Sequence, residues 1–566
     1  MCGLRIFFPL RRFQGKFCGR SSLAASGRCR MGINGVGMER LAGRLMLASG
    51  MSRALIAIAA GAIGALALPP FGFFAALFLS FTLLVWLIDG CTAKPGGGLF
   101  NRALPAFGIG WCFGLGYFVA GLWWLGNALL LEADEFAWAL PLAILGLPAF
   151  LALFYGFAVA AANLLWSDGL GRIAALAAAF GLTEWLRSFL ATGFPWNAIG
   201  YGIMPIPVMM QSVHLLGLFS ITTLAVFIFA APALIATKKG MAPGLAIAGL
   251  LLAGHVGYGL YRLQTPAETP ADALTVRIVQ PSIDQSRKML NGDRAEIFAE
   301  HLRLSALPPG DGKKRPDIIV WPETSVPFIL TQNPDALTEI AKTLDDGQVL
   351  FTGAVRMEDQ GAGRPPRYYN SVYAIDSQGE IIGAADKVHL TPFGEYVPFE
   401  NVLREFGINN VIALPGGFSA ASSRTSLTLP SGKRFYPLIC YEIIFPGEMT
   451  PELQGATAIL NVTNDGWFGD TPGPYQHFLQ ARIRAVETGV PVIRGANTGI
   501  SAVIDPYGRI VAGLDYGQVG TIDATLSGGS RDAIGYDTHR TYFWLIFSLM
   551  MIVAAGGAWS FARGRN

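Results

Sequence analysis

At 566 residues the chain is long enough for more than one domain. Its mean hydropathy of +0.43, with only 14% charged residues against roughly 25% in a soluble domain, excludes an ordinary water-soluble protein. A formal net charge of +3 is too small to suggest a nucleic-acid partner, and most of the excess comes from the basic, nearly acid-free first fifty residues.

The stretch Met1 to Arg53 lacks the compact plan of a cleavable signal peptide, so residues 1–52 are expected to form a basic, disordered cytoplasmic tail. Met31, Met38, Met46 and Met51 are alternative starting points within it. Apolar runs then recur at 53–69, 72–90, 104–125, 138–166, 172–190, 213–236, 243–261 and 541–560. Each is about the length that crosses a bilayer as a helix, because no water inside satisfies the peptide groups. The first two are separated by Pro69-Pro70 and could form one broken hairpin. The expectation is about eight spans: roughly seven in a bundle over 53–261 and one in the final segment 540–566.

Orientation follows from the short connections. Lys94, Arg102, Arg172, Lys238, Lys239, Arg563 and Arg565 fall on one side if eight spans leave both termini in the cytoplasm. The loop with Glu132, Asp134 and Glu135, the loop 191–212 and the whole of 262–539 then lie outside.

Segment 262–539 has globular charge, Pro and Gly levels. Strands are expected at Leu274–Gln280, Asp317–Trp321, Val349–Val355, Ser371–Ile375, Phe435–Tyr441, Ala456–Val462, Val492–Ala496 and Ser501–Ile504. Helices are expected at Asp293–Ala306, Pro334–Leu344 and Pro474–Thr488, which together imply a layered α/β domain. Turns are expected at Asp505–Gly508 and around Pro415-Gly-Gly.

Three stretches carry chemistry, each after a strand, where side chains converge at a sheet's carboxyl edge. In Ile318-Ile-Val-Trp-Pro-Glu323, burial beside Trp321 would raise the pKa of Glu323 and suit it as a general base; alone, it would read as a surface carboxylate. In Asp386-Lys-Val-His-Leu-Thr-Pro-Phe-Gly-Glu395, Lys387 could hold an oxyanion and favour a thiolate, or could be a solvated loop lysine. In Phe435-Tyr-Pro-Leu-Ile-Cys440-Tyr-Glu442, Cys440 is the one cysteine of the globular segment, at a strand-to-helix turn that could expose its sulfur. Among the six cysteines no pair has zinc or redox spacing, and His389 has a local structural role as its simplest reading.

These motifs, in this order, resemble the carbon–nitrogen hydrolase (nitrilase) superfamily with its Glu-Lys-Cys triad. The stretches Asn461–Gly469, Arg482–Glu487 and Asn497–Ser501 look like the same superfamily's downstream signature. A nitrilase-type domain flanked by spans is similar to the apolipoprotein N-acyltransferase branch, as are Trp185-Leu-Arg187, Gly193-Phe-Pro-Trp196-Asn and Val279–Gln285. The resemblance implies a helical membrane bundle carrying an αββα sandwich. Glu323 would be base, Lys387 oxyanion stabiliser and Cys440 nucleophile, with Glu395 supporting them and Tyr441 and Glu442 shaping the substrate site. Asn370 is a structural candidate. Arg187 and Trp196 would face a lipid headgroup or anchor the interface, and Asn464-Asp465 would be a turn or part of the site. The branch pattern has Trp near Lys288, where this chain has Met289.

The implied reaction moves a fatty acyl chain from the sn-1 position of a phospholipid, through a cysteine thioester, to the α-amine of a diacylglyceryl-cysteine on an apolipoprotein. It would occur at the outer face of a bacterial inner membrane, in a monomer, without metal or organic cofactor. A membrane-anchored amidase or nitrilase is the rival within the same triad chemistry. A transporter with an outer domain would need charges along the spans, which offer few beyond Glu184 and Arg187.

Overall fold

The computed structural model describes residues 33–91, 99–131, 133–289, 291–310, 312, 314–361, 363–398, 417–449, 451–529 and 534–563. Outside these lie the first part of the expected tail, Lys94, Glu132, the Pro415-Gly416 turn and Arg565, as well as the side chains of Arg102, Glu135 and Met289.

The expected tail ends early. Residues Ile33–Met46 form helix α1, whose Ala42, Leu45 and Met46 recur at helical spacing and pack on the bundle core. Among the described residues up to Arg262, seven helices longer than ten residues follow: α2 (Gly50–Gly64), α3 (Ala76–Asp89), α4 (Leu99–Leu122), α5 (Leu147–Leu164), α6 (Leu170–Arg187), α7 (Leu218–Ala230) and α8 (Met241–Arg262). Helix α3 packs on α2, α4 and α7, with Phe81 against Phe113 of α4 and Phe180 of α6 and Phe78 against Phe229 of α7.

In the globular segment, β1 (Thr275–Gln280), β2 (Ile318–Val320), β3 (Val349–Glu358), β4 (Arg367–Asp376) and β5 (Ile381–Asp386) form one sheet with β12 (Gly520–Thr525). The second sheet holds β6 (Leu427–Thr428), β7 (Arg434–Ile439), β8 (Ala458–Thr463), β9 (Val492–Ala496), β10 (Ser501–Ile504) and β11 (Ile510–Leu514). Strand orders are β12-β1-β2-β3-β4-β5 and β11-β10-β9-β8-β7-β6, with β1-β2-β3 and β7-β8-β9 parallel. Parallel strands buried on both faces need continuous apolar runs, which Ile318-Ile-Val and Ala458-Ile-Leu supply.

Between the sheets, Val276, Ile278, Val320 and Phe351 meet Phe435, Ile439, Leu460 and Ile493. Helices α9 (Arg294–Ser305) and α10 (Pro334–Thr343) cover the first sheet. Helix α11 (Pro472–Thr488) covers the second, and its Phe478, Leu479 and Ile483 belong to one continuous core with the membrane bundle. The result is an αββα sandwich whose outer layer on one side rests on the bundle. The chain returns as α12 (Tyr536–Arg563), packed on α6.

Among the described residues, six segments are long and apolar enough to cross a membrane: 50–67, 103–130, 137–164, 218–237, 241–262 and 536–563. The other two expected spans are different in kind. Helix α3 has 14 residues, and at about 1.5 Å per residue it is shorter than the roughly 30 Å hydrocarbon layer. Helix α6 carries buried Arg172, Glu184 and Arg187 and lies inside the bundle.

The basic short connections gather at one end. Arg172 Nη1 lies 3.4 Å from Asp89, Lys239 Nζ 3.1 Å from Asp168, and Lys238 Nζ 2.6 Å from Glu39. Because α6 starts there and ends at Arg187, the loop that follows emerges at the opposite end, under the globular domain.

Candidate active site

Each candidate follows a strand whose carboxyl end faces the same cleft. Beyond β2, Trp321 turns into the outer layer against Phe298 and His301, and the chain bends at Pro322 to present Glu323. Gly353 of β3 permits that bend: a Cβ there would stand 2.5 Å from the Pro322 carbonyl oxygen and 2.6 Å from Glu323 Cα. Beyond β5, Lys387 is tied down by its own N–H, which donates to the Asn370 carbonyl at 2.8 Å. Beyond β7, Cys440 opens a short helix (Cys440–Ile444) with φ at +50°, a left-handed conformation that an L-residue holds only when its surroundings fix it.

The three side chains converge. Lys387 Nζ lies 3.9 Å from Glu323 Oε1, and the Cys440 thiol hydrogen-bonds the Glu323 carboxylate. Lys387 Nζ donates to Glu395 Oε2 at 2.8 Å and to Thr391 Oγ1 at 3.3 Å. Asn370 Nδ2 donates to Glu323 Oε1 and to Glu395 Oε1, each at 2.8 Å, so one amide holds both carboxylates. Glu395 also accepts from the Thr391 N–H at 2.7 Å.

Enclosure sets the charge states. Burial raises the Glu323 carboxyl above its ordinary range, opposed by Lys387, and the Glu395 charge raises it further. Burial pushes the Cys440 thiol up, and the Glu323 carboxylate adds to this while Lys387 opposes it. Burial alone would lower Lys387, but Glu395, Glu323 and Cys440 hold it above its ordinary value, a fixed cation. At rest the sulfur is therefore a thiol beside a carboxylate able to take its proton.

The supporting candidates sort by what they touch. Glu442 faces away from the sulfur. It accepts from the N–H groups of Val388 (2.8 Å), His389 (3.0 Å) and Ile439 (2.7 Å) and pairs with Arg424 at 2.8 Å, so it fixes the lysine loop against the cysteine turn rather than lining a substrate surface. Tyr441 donates from its hydroxyl to the Gly193 carbonyl at 3.1 Å, and His389 Nε2 lies 3.0 Å from the Thr192 carbonyl; both clamp the cysteine turn onto the bundle loop.

The lipid-facing reading of Arg187 and Trp196 fails, because both are enclosed. Arg187 is 0% exposed and donates from Nη1 to the Phe194 carbonyl and, at 2.9 Å, to the Trp196 carbonyl. Trp196 Nε1 donates to Gln476 Oε1 of α11 at 2.9 Å. Glu184 accepts from the Tyr155 hydroxyl (2.6 Å) and the Ile199 N–H (3.0 Å), so the two intramembrane charges shape a loop rather than line a path.

Asp465, read from the sequence as either a turn or a site residue, is both. Its neighbour Asn464 caps a short helical turn, whereas Asp465 is buried between Arg494 (2.7 Å), His477 (2.8 Å) and Thr463 (3.1 Å) behind Cys440. Burial would raise its pKa, but Arg494 and His477 hold it down to about 2. Thr463, His477, Arg494 and Arg424 escaped the sequence reading. Thr463 and Arg494 lie on strands and could have been flagged as polar residues in apolar runs, but nothing local tells which polar group a strand end will meet. Among the described residues no group of His, Cys, Asp and Glu could hold a metal ion.

Residues 275–534 match the carbon–nitrogen hydrolase family, and residues 60–231 match the apolipoprotein N-acyltransferase N-terminal domain. The chain is 90% identical to an apolipoprotein N-acyltransferase of Agrobacterium fabrum, over 94% of this chain and 100% of that protein. It is 66% identical to one of Rhizobium rhizogenes, over 91% of this chain and 98% of the relative. Among solved structures, an amidase from Nesterenkonia sp. is 17% identical, with a TM-score of 0.34 over 48% of this chain and 98% of its own.

Proposed function

The chain belongs to the apolipoprotein N-acyltransferase family, enzymes that acylate lipoproteins at a membrane, and on that premise we propose that Cys440 carries the acyl group between two lipid-anchored substrates as a thioester. The observation that carries this reading is the convergence of a buried carboxylate, a fixed ammonium and one thiol at the end of the bundle.

In the first step Glu323 takes the Cys440 proton and the thiolate attacks the sn-1 ester carbonyl of a phospholipid. The tetrahedral oxyanion develops beside the Lys387 ammonium, which keeps one N–H beyond those given to Glu395 and Thr391, and beside the Tyr441 backbone N–H. Collapse expels the lysophospholipid alkoxide, which takes the proton from Glu323. In the second step the α-amine of the acceptor's diacylglyceryl-cysteine attacks the thioester, Glu323 accepts its proton, and the thiolate leaves as the new amide forms and takes that proton back from Glu323. No residue changes role except Glu323, which shuttles one proton in each half-reaction.

Transfer wins over hydrolysis where water is scarce and both substrates arrive by the bilayer. The clamp of Tyr441, His389 and Gln476 on the bundle loop supports that placement. The basic connections at the opposite end support, by the positive-inside rule, a site on the periplasmic face of the inner membrane. The enzyme acts as a monomer, since one chain supplies every group the reaction needs.

Incubation with phospholipid should add one fatty acyl mass to the Cys440 peptide, and none in Glu323→Ala. Near wild-type transfer by Cys440→Ser, or ammonia release from simple amides as the main activity, would defeat the proposal.

A further inference from the structure

One buried hydroxyl touches the reacting sulfur and has no part in the two half-reactions above. Thr463, the last residue of β8, is fully buried; register pairs its neighbour Val462 with Ile439, which brings the ends of β8 and β7 side by side. Its Oγ1 lies 3.3 Å from Cys440 Sγ and 3.1 Å from Asp465 Oδ1. A hydroxyl has one proton and can donate it to only one of these at a time.

We propose that Thr463 is a further catalytic residue, a hydroxyl rotor that donates to Asp465 while Cys440 is a thiol or thioester and swings to Sγ while the sulfur is charged. This rests on Cys440 being the nucleophile.

Asp465 is suited to hold the proton loosely. It is kept ionised by Arg494 Nη2 at 2.7 Å and has His477 Nδ1 at 2.8 Å on the same oxygen that Thr463 reaches, so it remains hydrogen-bonded when the hydroxyl turns away. The far nitrogen of His477 lies 3.2 Å from the Cys440 carbonyl.

The groups facing the sulfur are otherwise few. Glu323 and Lys387 come from the first sheet, with Glu395 behind the lysine; Asp465 comes from the second sheet, backed by Arg494, and His477 from α11. Lys387 is the nearest cation, but Glu395 and Glu323 already compete for it. When the S–H bond breaks, its proton goes to Glu323 and the Thr463 O–H turns onto the new charge. No bond of the threonine is made or broken, and the motion reverses when the C–S bond forms.

The test is alkylation of Cys440 by iodoacetamide in the detergent-solubilised full-length protein, read on the Cys440 peptide across pH. A hydrogen bond to a charged partner is worth enough that Thr463→Val should react about tenfold more slowly near neutral pH, with its midpoint moved to higher pH. Thr463→Ser should restore the wild-type profile to within about twofold, and single-turnover acylation by phospholipid should follow the same order. A wild-type alkylation profile in Thr463→Val, or a serine variant as slow as the valine one, would overturn the rotor. Transfer that survives in Cys440→Ser would instead defeat the thioester reading, whatever the alkylation profiles show.

Discussion

Asn370 sits where two buried carboxylates would otherwise repel each other across Lys387. Its Nδ2 bonds lower the Glu323 pKa, while burial and the Glu395 charge raise it. As the proposed base Glu323 must be ionised, so kcat/KM should rise with pH through its pKa, above the ordinary carboxylate range. In Asn370→Ala this acidic limb should move to still higher pH, with kcat down roughly tenfold; a pH–rate profile checks both. Glu442 offers a contrast. Glu442→Gln removes one of the two carboxylates that hold the buried Arg424 guanidinium, leaving Glu448 at 2.8 Å, and the lysine loop is held by fewer bonds. Breaking such a pair costs about 3 kcal/mol, which thermal unfolding should register as a clear fall in Tm.

Strands and turns decide whether those residues meet. The central parallel strands were legible because both of their faces are buried and apolar residues run together, as in Ile318-Ile-Val and in Ala458-Ile-Leu. The outer strands β5, β6 and β12 were not foreseen, and β11 was expected only as a strand without bounds after the turn at Asp505–Gly508. Ile510–Leu514 has exposed and half-buried positions with no regular alternation, and an edge strand has only one neighbour to reward a pattern. Helix α1 was missed for a related reason: its own sequence is weakly apolar, and packing on the bundle stabilises it. At this scale Gly353→Ala is the informative change. The added methyl meets the Pro322 carbonyl and Glu323 Cα, so β3 must shift or the carboxylate must move. Because reacting groups displaced by about 1 Å lose on the order of 10²-fold in rate, activity should fall that far while Cys440 still reacts with a soluble alkylating agent.

Across the whole molecule, the site is coupled to the membrane by a few hydrogen bonds between α11, the cysteine turn and the loop after α6. Gln476 accepts from both Trp196 Nε1 (2.9 Å) and Trp124 Nε1 (3.2 Å) and donates to the Gly121 carbonyl (3.2 Å). Replacing it leaves the buried Trp196 indole N–H without its partner, at about 1–3 kcal/mol, while Trp124 Nε1 keeps the Gly121 carbonyl at 3.0 Å. Gln476→Leu should therefore loosen the seat of the catalytic domain on the bundle, raising KM for phospholipid more than it slows alkylation of Cys440 by iodoacetamide. Parallel losses in both would show that the seat and the triad form one rigid unit.

Sequence alone determined that the chain has membrane-spanning segments and a layered α/β domain, and it singled out the three residue types of the proposed chemistry. Each of these is written in short-range terms: runs of apolar residues, and a carboxylate, an ammonium and a thiol each placed just past a strand. Tertiary structure alone decided the partners of every other polar group. It enclosed Arg187 and Trp196, turned Glu442 away from the sulfur, and brought Thr463 to Cys440. A buried polar side chain must find its hydrogen bonds among residues distant in the chain, and only the packing of sheet on sheet and domain on bundle determines which residues those are.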